Sequence, residues 1–437
     1  MANVIFNGSL SLAMDRTDLA ARLLLLQQEF KQELIAIADW WVANSVDREL
    51  GGFFGEVSAE NIPVKDANKG VILNSRILWF FSEVALEINN PEYRQCAKRA
   101  YDYLLQYFFD KKCGGVYWEL DCFGNPINSK KQTYAQAFTI YALSAYYKLT
   151  QNEQALAMAL NCFELLETKT IDRECEGYLE AFTRTWGKME DLRLSDKDLN
   201  FPKSQNTHLH ILEAYTSLYN IYPTPEIKTA LRYNIELFDK FLIDKKTFHL
   251  RMFLDHHWND FSPGVTYGHD IEASWLIAKA LATLDDEAYT ALLTPSLIKI
   301  AATTLQEGID GYGQVMDSYD YASGKVNTNI VWWVQAEALV GFLYAYVTSN
   351  EQKYLTVAEN LWQAIKKYQI DHQYGEWHWS SVINSTSVLE SSTMLDNSSL
   401  DRSQAEPNYK VGFWKCPYHN GRAMIEAGRY LTKIQLD

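Results

Sequence analysis

Two kinds of helical pattern alternate along the chain. The first kind has apolar residues on one face and Lys, Glu, Gln and Arg on the other, as in ALRYNIELFDKFLI (230–243), and predicts helices with one solvent-facing side. The second kind is apolar all round, as in ILWFFSEVALEI (77–88), and predicts buried helices. The amphipathic segments are 18–46, 91–109, 152–170, 225–243, 295–309 and 351–370, and the apolar segments are 70–88, 132–149, 206–221, 269–284, 329–348 and 415–434.

An aspartate follows or ends each amphipathic segment. A short Gly/aromatic segment comes next, such as GGFFGEV (51–57) or YGEWHWS (374–380). The aspartates recur roughly every 60 to 70 residues, an interval that indicates a repeat architecture. We interpret them as caps and turn formers at one rim of the molecule, not as catalytic groups. They are Asp47, Asp110, Asp172, Asp244, Asp310 and Asp371.

Alternating outer and buried helices predict an all-α fold, an (α/α)6 barrel with short β-like turns and long loops at one rim. A linear solenoid of helix pairs is the alternative. Closure is favoured because a strongly apolar helix lies at each end of the pattern. The repeat spans nearly the whole chain and predicts a single catalytic domain, 1–437. The long rim loops are 183–205, 255–268 and 380–413, and the Ser/Asn-rich last one is interpreted as a mobile lid.

Composition narrows the possible partners. The net charge is −15 without a basic tract, which disfavours nucleic acid and anionic membranes. The six cysteines are scattered and form no C-x-x-C pair. We find no secretory signal and no apolar run of about 18 residues, so we expect a cytoplasmic protein and, by default, a monomer. The aromatic content of 14% suits core packing and also sugar stacking.

Polar clusters begin the apolar segments, where each inner helix would enter a central cavity. One such cluster is ordinarily a cap or a satisfied buried group, but six at equivalent places favour a shared site. Asn206 and His210 are four apart and share a helical face, whereas His208 lies about 200° from His210 and points elsewhere. His269 and Glu272 also share a face, which suggests a histidine oriented by a carboxylate.

The remaining histidines lie away from these clusters. They are expected at the surface or behind the site, and they are His249, His256, His257, His372 and His378.

Histidine is the most prominent chemical group in the clusters. The helical phase of His-x-His and the lack of H-E-x-x-H disfavour a catalytic metal. A glycoside hydrolase needs two carboxylates, for which Glu272, Glu337, Glu376 and Asp198 are candidates. No nucleotide-binding fingerprint occurs. Histidines suit proton transfer near neutral pH, tryptophans suit sugar stacking, and an arginine stabilises a developing oxyanion. Together they indicate deprotonation beside a sugar carbonyl, hence isomerisation or epimerisation.

Four sequence strings resemble the N-acylglucosamine 2-epimerase superfamily, and within it are most similar to the cellobiose (mannobiose) 2-epimerase branch. They are NTHLHILEAY (206–215), GHDIEASW (268–275), WWVQAEA (332–338) and FWKCPYHNGRA (413–423). The resemblance covers essentially the entire chain and includes the (α/α)6 barrel. It implies an enzyme that needs no metal or nucleotide. Such an enzyme opens the reducing-end ring of a β-1,4-linked disaccharide and inverts C2 through a cis-enediolate.

The resemblance also implies residue roles. His269 and His419 would be general acid/bases on opposite faces of C2, and His419 would assist ring opening. His210 would hold the open-chain oxygens, and Arg76 would stabilise charge at O1 and O2. The implied substrate-binding residues are Tyr134 and Asn206 as hydrogen-bonding groups, Trp332 and Trp414 as stacking groups, Glu272 orienting His269, Glu337 binding or orienting nearby, and Asp198 at the non-reducing sugar.

Three alternatives remain open from the sequence. A monosaccharide or N-acylglucosamine 2-epimerase, or an aldose–ketose isomerase, would share the fold and the enediolate. An (α/α)6 glycoside hydrolase would depend on carboxylates. A non-catalytic sugar-binding protein would not exchange the C2 hydrogen with solvent. Within the resemblance, the string GHDIEAS favours disaccharides over N-acyl sugars.

Overall fold

Six buried helices form a closed ring at the centre of the molecule. The computed structural model describes residues 3–381 and 408–434. The inner helices are α2 (Val71–Glu87), α4 (Thr133–Thr150), α6 (Gln205–Ile221), α8 (Tyr267–Leu284), α10 (Trp332–Ser349) and α12 (Tyr418–Leu431). Each packs against the next, and α12 packs against α2. This closure confirms the (α/α)6 barrel and excludes the linear solenoid.

Six amphipathic helices surround the ring. They are α1 (Asn3–Asn44), α3 (Pro91–Tyr103), α5 (Glu153–Leu165), α7 (Pro225–Leu237), α9 (Glu287–Glu307) and α11 (Gln352–Ala364). α1 packs on α12, and each of the others packs on the inner helix that precedes it in the chain. The division into buried and half-exposed helices follows the predicted pattern, since every residue of α2 from Val71 to Ala85 is buried.

Two helices begin well before their predicted starts, namely α1, at Asn3 instead of residue 18, and α9. The sequence pattern placed the start of the fifth outer helix at residue 295, whereas α9 begins at Glu287. Asp286 caps it, because its side chain accepts a hydrogen bond from the backbone N–H of Tyr289 at 2.9 Å. Pro295 therefore lies inside the helix and does not start it. A strong N-cap two turns earlier determined this boundary.

The six aspartates shape the turns that follow the outer helices. Asp47 Oδ1 accepts hydrogen bonds from the backbone N–H groups of Glu49 and Leu50, at 3.0 and 2.9 Å. The same two-bond turn occurs at Asp110, Asp172, Asp244 and Asp371, and Asp310 makes a variant in which the second bond comes from the fourth residue, Gln314. The turn needs a left-handed residue, and Gly52 has a φ of 63°. These bonds confirm the aspartates as turn formers.

Buried lysines anchor four of these turns, which the sequence pattern did not reveal. Lys69 Nζ lies 2.9 Å from Asp47, and both side chains are almost fully buried. Equivalent pairs join Lys131 to Asp110, Lys203 to Asp172 and Lys410 to Asp371. Lys69, Lys131 and Lys203 lie directly before an inner helix, so their pairs join a rim turn to the entry of that helix, whereas Lys410 lies further ahead of α12.

Short strands link each repeat to the next around the rim. They are β1 (Glu56–Ser58), β2 (Pro63–Val64), β3 (Lys69–Gly70), β4 (Glu119–Leu120), β5 (Pro126–Asn128), β6 (Lys131–Gln132), β7 (Ala181–Phe182), β8 (Lys203–Ser204), β9 (Phe253–Leu254), β10 (Gly264–Thr266), β11 (Ser318–Asp320), β12 (Lys325–Asn327) and β13 (Tyr409–Val411). The antiparallel pairs β3–β4, β6–β7, β8–β9 and β10–β11 connect successive repeats. β13 pairs with β1, with Val57 opposite Val411, and so joins the last repeat to the first.

The predicted lid, 380–413, falls mostly outside the described residues, which omit 382–407. Across the described ranges, no helix is both long enough and apolar enough to cross a membrane.

Candidate active site

A cavity opens at the end of the ring where the inner helices begin. It encloses about 1250 Å³ counted out to its mouth, large enough for a small-molecule ligand. It brings together every predicted site residue except Glu337. The predicted residues that line it are Arg76, Tyr134, Asp198, Asn206, His210, His269, Glu272, Trp332, Trp414 and His419.

Helical phase selects which side chains form the site. Phe138 is the sixth residue after the N-cap of α4, whereas the other four of the first five inner helices carry a charged or ionisable group at this position. These residues, here called the site ring, are Arg76, His210, Glu272 and Glu337. The second residue after the cap lies one turn earlier on the same face. Tyr134, Asn206 and His419 hold this position on α4, α6 and α12.

The fourth residue after the cap points the opposite way and bonds the rim. These residues, here called the rim ring, are Gln136, His208, Asp270 and Gln335. Each accepts a hydrogen bond from a rim backbone N–H at 2.8 to 3.0 Å. His208 therefore lies outside the cavity, as its phase predicted, and burial lowers its pKa to about 4.

Three histidines of the site are held through Nδ1. His210 Nδ1 lies 3.1 Å from Glu213, and His269 Nδ1 lies 2.8 Å from Thr266 Oγ1. His419 Nδ1 lies 2.6 Å from Glu337 Oε1. In each ring Nε2 is the nitrogen that remains for a ligand.

Burial keeps two of these histidines neutral. It lowers the pKa of His269 to about 4, although the nearby Glu272 carboxylate opposes the shift. Burial also lowers the pKa of His419 well below its ordinary value, and the positive charges of Arg76 and Arg422 add to this. Near pH 7 both imidazoles are therefore able to accept a proton.

The expected partner of His269 is not the observed one. Glu272 was predicted to orient this ring because the two residues share a helical face. Instead Thr266, immediately before α8, bonds His269 Nδ1. Glu272 Oε1 accepts from Arg422 Nη2 at 2.5 Å, because a buried guanidinium is a stronger partner for a carboxylate than a neutral imidazole.

A buried arginine beneath the cavity was missed from the sequence. Arg422 Nη1 donates to Glu213 and to the Tyr418 hydroxyl, and Nη2 donates to Glu272 and to Glu337 at 2.7 Å. We call Arg422 with these three glutamates the Arg422 cluster. Glu337 belongs to it and supports His419 from below. Two helical spacings of three residues, His210 to Glu213 and His419 to Arg422, were the available signals.

The same atoms have a spacing that suits a metal ion. Glu272, Glu337 and His419 offer ligand atoms within 4.8 Å of one another. However, Arg422 Nη2 donates to both carboxylates and occupies the cationic position between them. We therefore assign these three residues to a hydrogen-bond network.

Arg76 is fixed at the cavity wall by aromatic groups. Its Nη2 donates to the Tyr134 hydroxyl at 2.8 Å. Its guanidinium lies over the rings of Phe138 and Tyr418, at 4.3 and 4.6 Å from their centroids. A buried, pre-positioned cation of this kind suits stabilisation of a developing oxyanion.

The aromatic wall includes one tryptophan that the sequence did not single out. The Trp333 ring lies 4.8 Å from His269 and 5.5 Å from His419, measured between ring centroids, so it contacts both histidines. Trp332, the predicted stacking residue, packs on Trp379 at 4.3 Å and also lines the cavity.

Asp198 lies at the cavity mouth in the 183–205 loop. Its Oδ2 accepts hydrogen bonds from the backbone N–H and the hydroxyl of Ser195, both at 2.9 Å. The carboxylate thus has a fixed position at the edge of the cavity.

Sugar epimerases are among the known proteins that are similar to this chain in both sequence and fold. The family model for N-acylglucosamine 2-epimerase matches residues 52–393. A cellobiose 2-epimerase of Bacteroides fragilis is 39% identical over 92% of this chain and 98% of its own, and one of Dictyoglomus turgidum is 37% identical over 87% and 92%. The solved cellobiose 2-epimerase of Bacillus thermoamylovorans superposes with a TM-score of 0.82 at 36% identity, covering 93% of this chain and 99% of that one. The chain belongs to the N-acylglucosamine 2-epimerase family.

Proposed function

We propose that this enzyme is an isomerase that epimerises C2 of the reducing-end glucose or mannose in β-1,4-linked disaccharides such as cellobiose, lactose and mannobiose. The observation that carries the proposal is the pair His269 and His419. His419 is buried and His269 is partly buried, desolvation keeps both neutral, both keep Nε2 for the cavity, and both contact Trp333. The relatives named cellobiose 2-epimerase, which match over nearly their whole length, support the disaccharide substrate.

The reaction begins by opening the sugar ring. The O1 hydroxyl proton moves to the ring oxygen with the help of His419, the C1–O5 bond breaks, and C1 becomes an aldehyde. One histidine then removes the C2 proton. The C–H electron pair forms the C1=C2 bond, and the carbonyl electrons move onto O1 to give a cis-enediolate.

Inversion follows when a proton returns from the other side. The second histidine donates a proton to the opposite face of C2, the C1 carbonyl reforms, and the ring closes. Arg76 faces the charge that develops at O1 and O2, and His210 holds the open-chain oxygens. Tyr134 and Asn206 bind the sugar hydroxyls, and Trp332 and Trp414 stack on the ring. General acid/base groups at such positions typically contribute about 10²- to 10⁴-fold each.

Side-chain partners disfavour the hydrolase alternative. Glu272 and Glu337 are bound to Arg422. Glu376 is buried against Lys415 at 2.8 Å. Of the four predicted carboxylates only Asp198 remains at the mouth, and a glycoside hydrolase needs two. The proposal further takes the chain to be a single catalytic domain, monomeric and cytoplasmic, that works without a metal or cofactor.

One experiment tests this function against its rivals. The enzyme is incubated in D2O with cellobiose, mannobiose, lactose, mannose or N-acetylglucosamine, and each sugar is followed by NMR. We expect deuterium at C2 together with the 2-epimer for the disaccharides. Free glucose would indicate a hydrolase, a ketose alone an isomerase, and epimerisation of only the single sugars a monosaccharide or N-acyl enzyme. No change with any sugar would indicate a binding protein.

A further inference from the structure

The two-histidine reaction needs one proton that the histidines themselves do not hold. In each inversion one imidazole must be neutral to accept the C2 proton, and the other must carry a proton to deliver. Burial and two guanidinium groups disfavour a charged imidazole at His419, and burial disfavours one at His269. If the proposed function holds, a neighbouring group must store the second proton.

The balance of buried charges beneath the cavity favours the binding of one additional proton. Three buried carboxylates, those of Glu213, Glu272 and Glu337, surround the single guanidinium of Arg422. Arg76 is the second buried guanidinium of the site, and both arginines lie over the ring of Tyr418. With every carboxylate ionised, the buried site carries one negative charge in excess, and such a charge is costly away from water. Binding one proton removes it.

The contacts of Glu337 single it out as the acceptor. Its Oε1 lies 2.6 Å from His419 Nδ1, and both side chains are buried. Its neighbour in the cluster, Glu272, binds no histidine nitrogen. Glu213 binds His210, but Arg422, His210 and the Tyr418 hydroxyl all donate to it and hold it ionised.

We infer that Glu337 and His419 form a proton-sharing pair, held in place by Arg422, that stores and delivers the second proton of the C2 inversion. In the loaded state Glu337 carries the proton and donates a hydrogen bond to His419 Nδ1. The proton of the neutral His419 ring then lies on Nε2, which faces the cavity as the acid. When Nε2 gives its proton to C2, the Glu337 proton moves to Nδ1. Glu337 is left ionised and His419 stays neutral throughout.

The titration behaviour of the cluster agrees with this geometry. Burial raises the pKa of Glu337 well above its ordinary range, although Arg422 opposes the shift, and the carboxylates of Glu272 and Glu213 add to it. In contrast, Arg422 and His210 hold the pKa of Glu213 below its ordinary range despite burial. The ionisable groups that face the pair are Arg76 from α2, His210 and Glu213 from α6, His269 and Glu272 from α8, and Tyr418 and Arg422 from α12.

The substitution Glu337→Gln tests the pair, because glutamine keeps the shape and a hydrogen bond but cannot carry the proton. In D2O, the epimer whose C2–H faces His269 should still exchange that hydrogen, within about tenfold of the native rate. Inversion of both epimers should fall by about 10²-fold or more. Exchange without inversion is the signature that a merely structural role would not give.

Glu426→Gln is the matched control. Glu426 is also a buried glutamate on α12 and is bonded to two cations, Lys279 at 2.7 Å and Arg429 at 2.9 Å, but it contacts no site histidine. Its exchange and inversion rates should match those of the native enzyme. The inference is overturned if Glu337→Gln inverts C2 at the native rate, or if it loses exchange and inversion in parallel while still folded.

A measurement on the native enzyme covers the case in which Glu337→Gln does not fold. The imidazole nitrogens of His419 are observed by ¹⁵N NMR at neutral pH and assigned by their loss in His419→Ala. The loaded pair predicts a proton on Nε2, whereas a bare Nε2 with a proton only on Nδ1 would overturn it. This result does not depend on turnover, so it separates failure of the pair from failure of the proposed epimerase activity, which the native D2O experiment tests.

Discussion

The site ring and the rim ring lie on the same set of inner helices but have different functions. Members of the rim ring, such as Gln136 and Gln335, perform one task in four repeats, which is to bond the backbone of the adjoining rim turn. Members of the site ring share no such task, since Arg76 bonds Tyr134, His210 bonds Glu213, and Glu272 and Glu337 bond Arg422. The two rings are two residues apart on each helix, so they face opposite ways. The repeat is preserved where it builds the barrel and abandoned where it faces the cavity.

The largest expected effect comes from removing either proton-transfer histidine. His269→Ala or His419→Ala should lower kcat/KM by about 10²- to 10⁴-fold. The fold should remain, because the rim ring and its backbone bonds are untouched. Steady-state assays with cellobiose, together with circular dichroism, check both expectations.

A matched control for these variants is His372→Ala, which removes an exposed imidazole far from the cavity. It should leave kcat/KM unchanged. Native turnover in His269→Ala or His419→Ala would contradict the two-base mechanism. Loss of the helical circular dichroism signal would show that the histidine supports the fold, as the rim ring does.

Acid pH should affect one histidine of the rim ring, His208, and one histidine of the cavity, His269, through two different readouts. Burial lowers the pKa of His208 and of His269 to about 4 from an ordinary value near 6.5. A lowered histidine pKa favours the neutral folded form, so its full stabilisation is present above pH 6.5 and is lost as the pH falls toward 4. For the fully buried His208 this amounts to about 3 kcal/mol.

The rate of turnover should fall over the same acid pH range. His269 acts as a base only when neutral, so kcat/KM should fall as the pH drops through about 4, provided that the protein stays folded. Rate profiles and urea unfolding measured between about pH 3 and pH 8 test both effects. An acid limb near pH 6.5 in either measurement would show that the corresponding histidine is solvated.

A single rim-ring substitution should reduce stability without changing the chemistry. Gln335 accepts from the backbone N–H of Val315 at 2.8 Å and donates to its carbonyl at 2.7 Å. Gln335→Leu leaves both buried groups unpaired and should lower the free energy of unfolding by about 1–3 kcal/mol. Urea denaturation measures it, with kcat expected unchanged well below the transition. Gln363→Leu, at an exposed position of α11, is the control.

The barrel was predictable because hydrophobic periodicity repeats along the chain. All-round apolarity located the buried helices, and the aspartates located the turns. The lysine partners of those aspartates were not predictable, because a lysine just ahead of a buried helix looks like an ordinary surface residue. Each lysine is 21 to 39 residues from its aspartate, so no helical or strand spacing marks the pair.

The site was predictable where one helix carries the signal. The phase of Asn206, His208 and His210 separates a rim residue from site residues without a structure. Arg422 was missed because its partners come from α6, α8 and α10, and no local spacing records contacts between helices so far apart in the chain. The predicted partner of His269 was wrong for the same reason, since the nearby Glu272 is hydrogen-bonded to Arg422.

The smallest effect is expected at the cavity mouth, where neither ring reaches. Asp198→Asn keeps the shape of a side chain predicted to bind the non-reducing sugar but removes its charge. Because that sugar does not change in the reaction, the lost hydrogen-bond strength should raise KM about fivefold, equivalent to about 1 kcal/mol, with kcat within about twofold. Glu190→Gln, at an exposed position of the same loop that does not line the cavity, should leave both constants unchanged. Kinetics with cellobiose and with mannose complete the test. A single sugar cannot reach Asp198, so the kinetic constants for mannose should not change. A fall in kcat, or an equal effect on mannose, would place Asp198 at the reacting sugar.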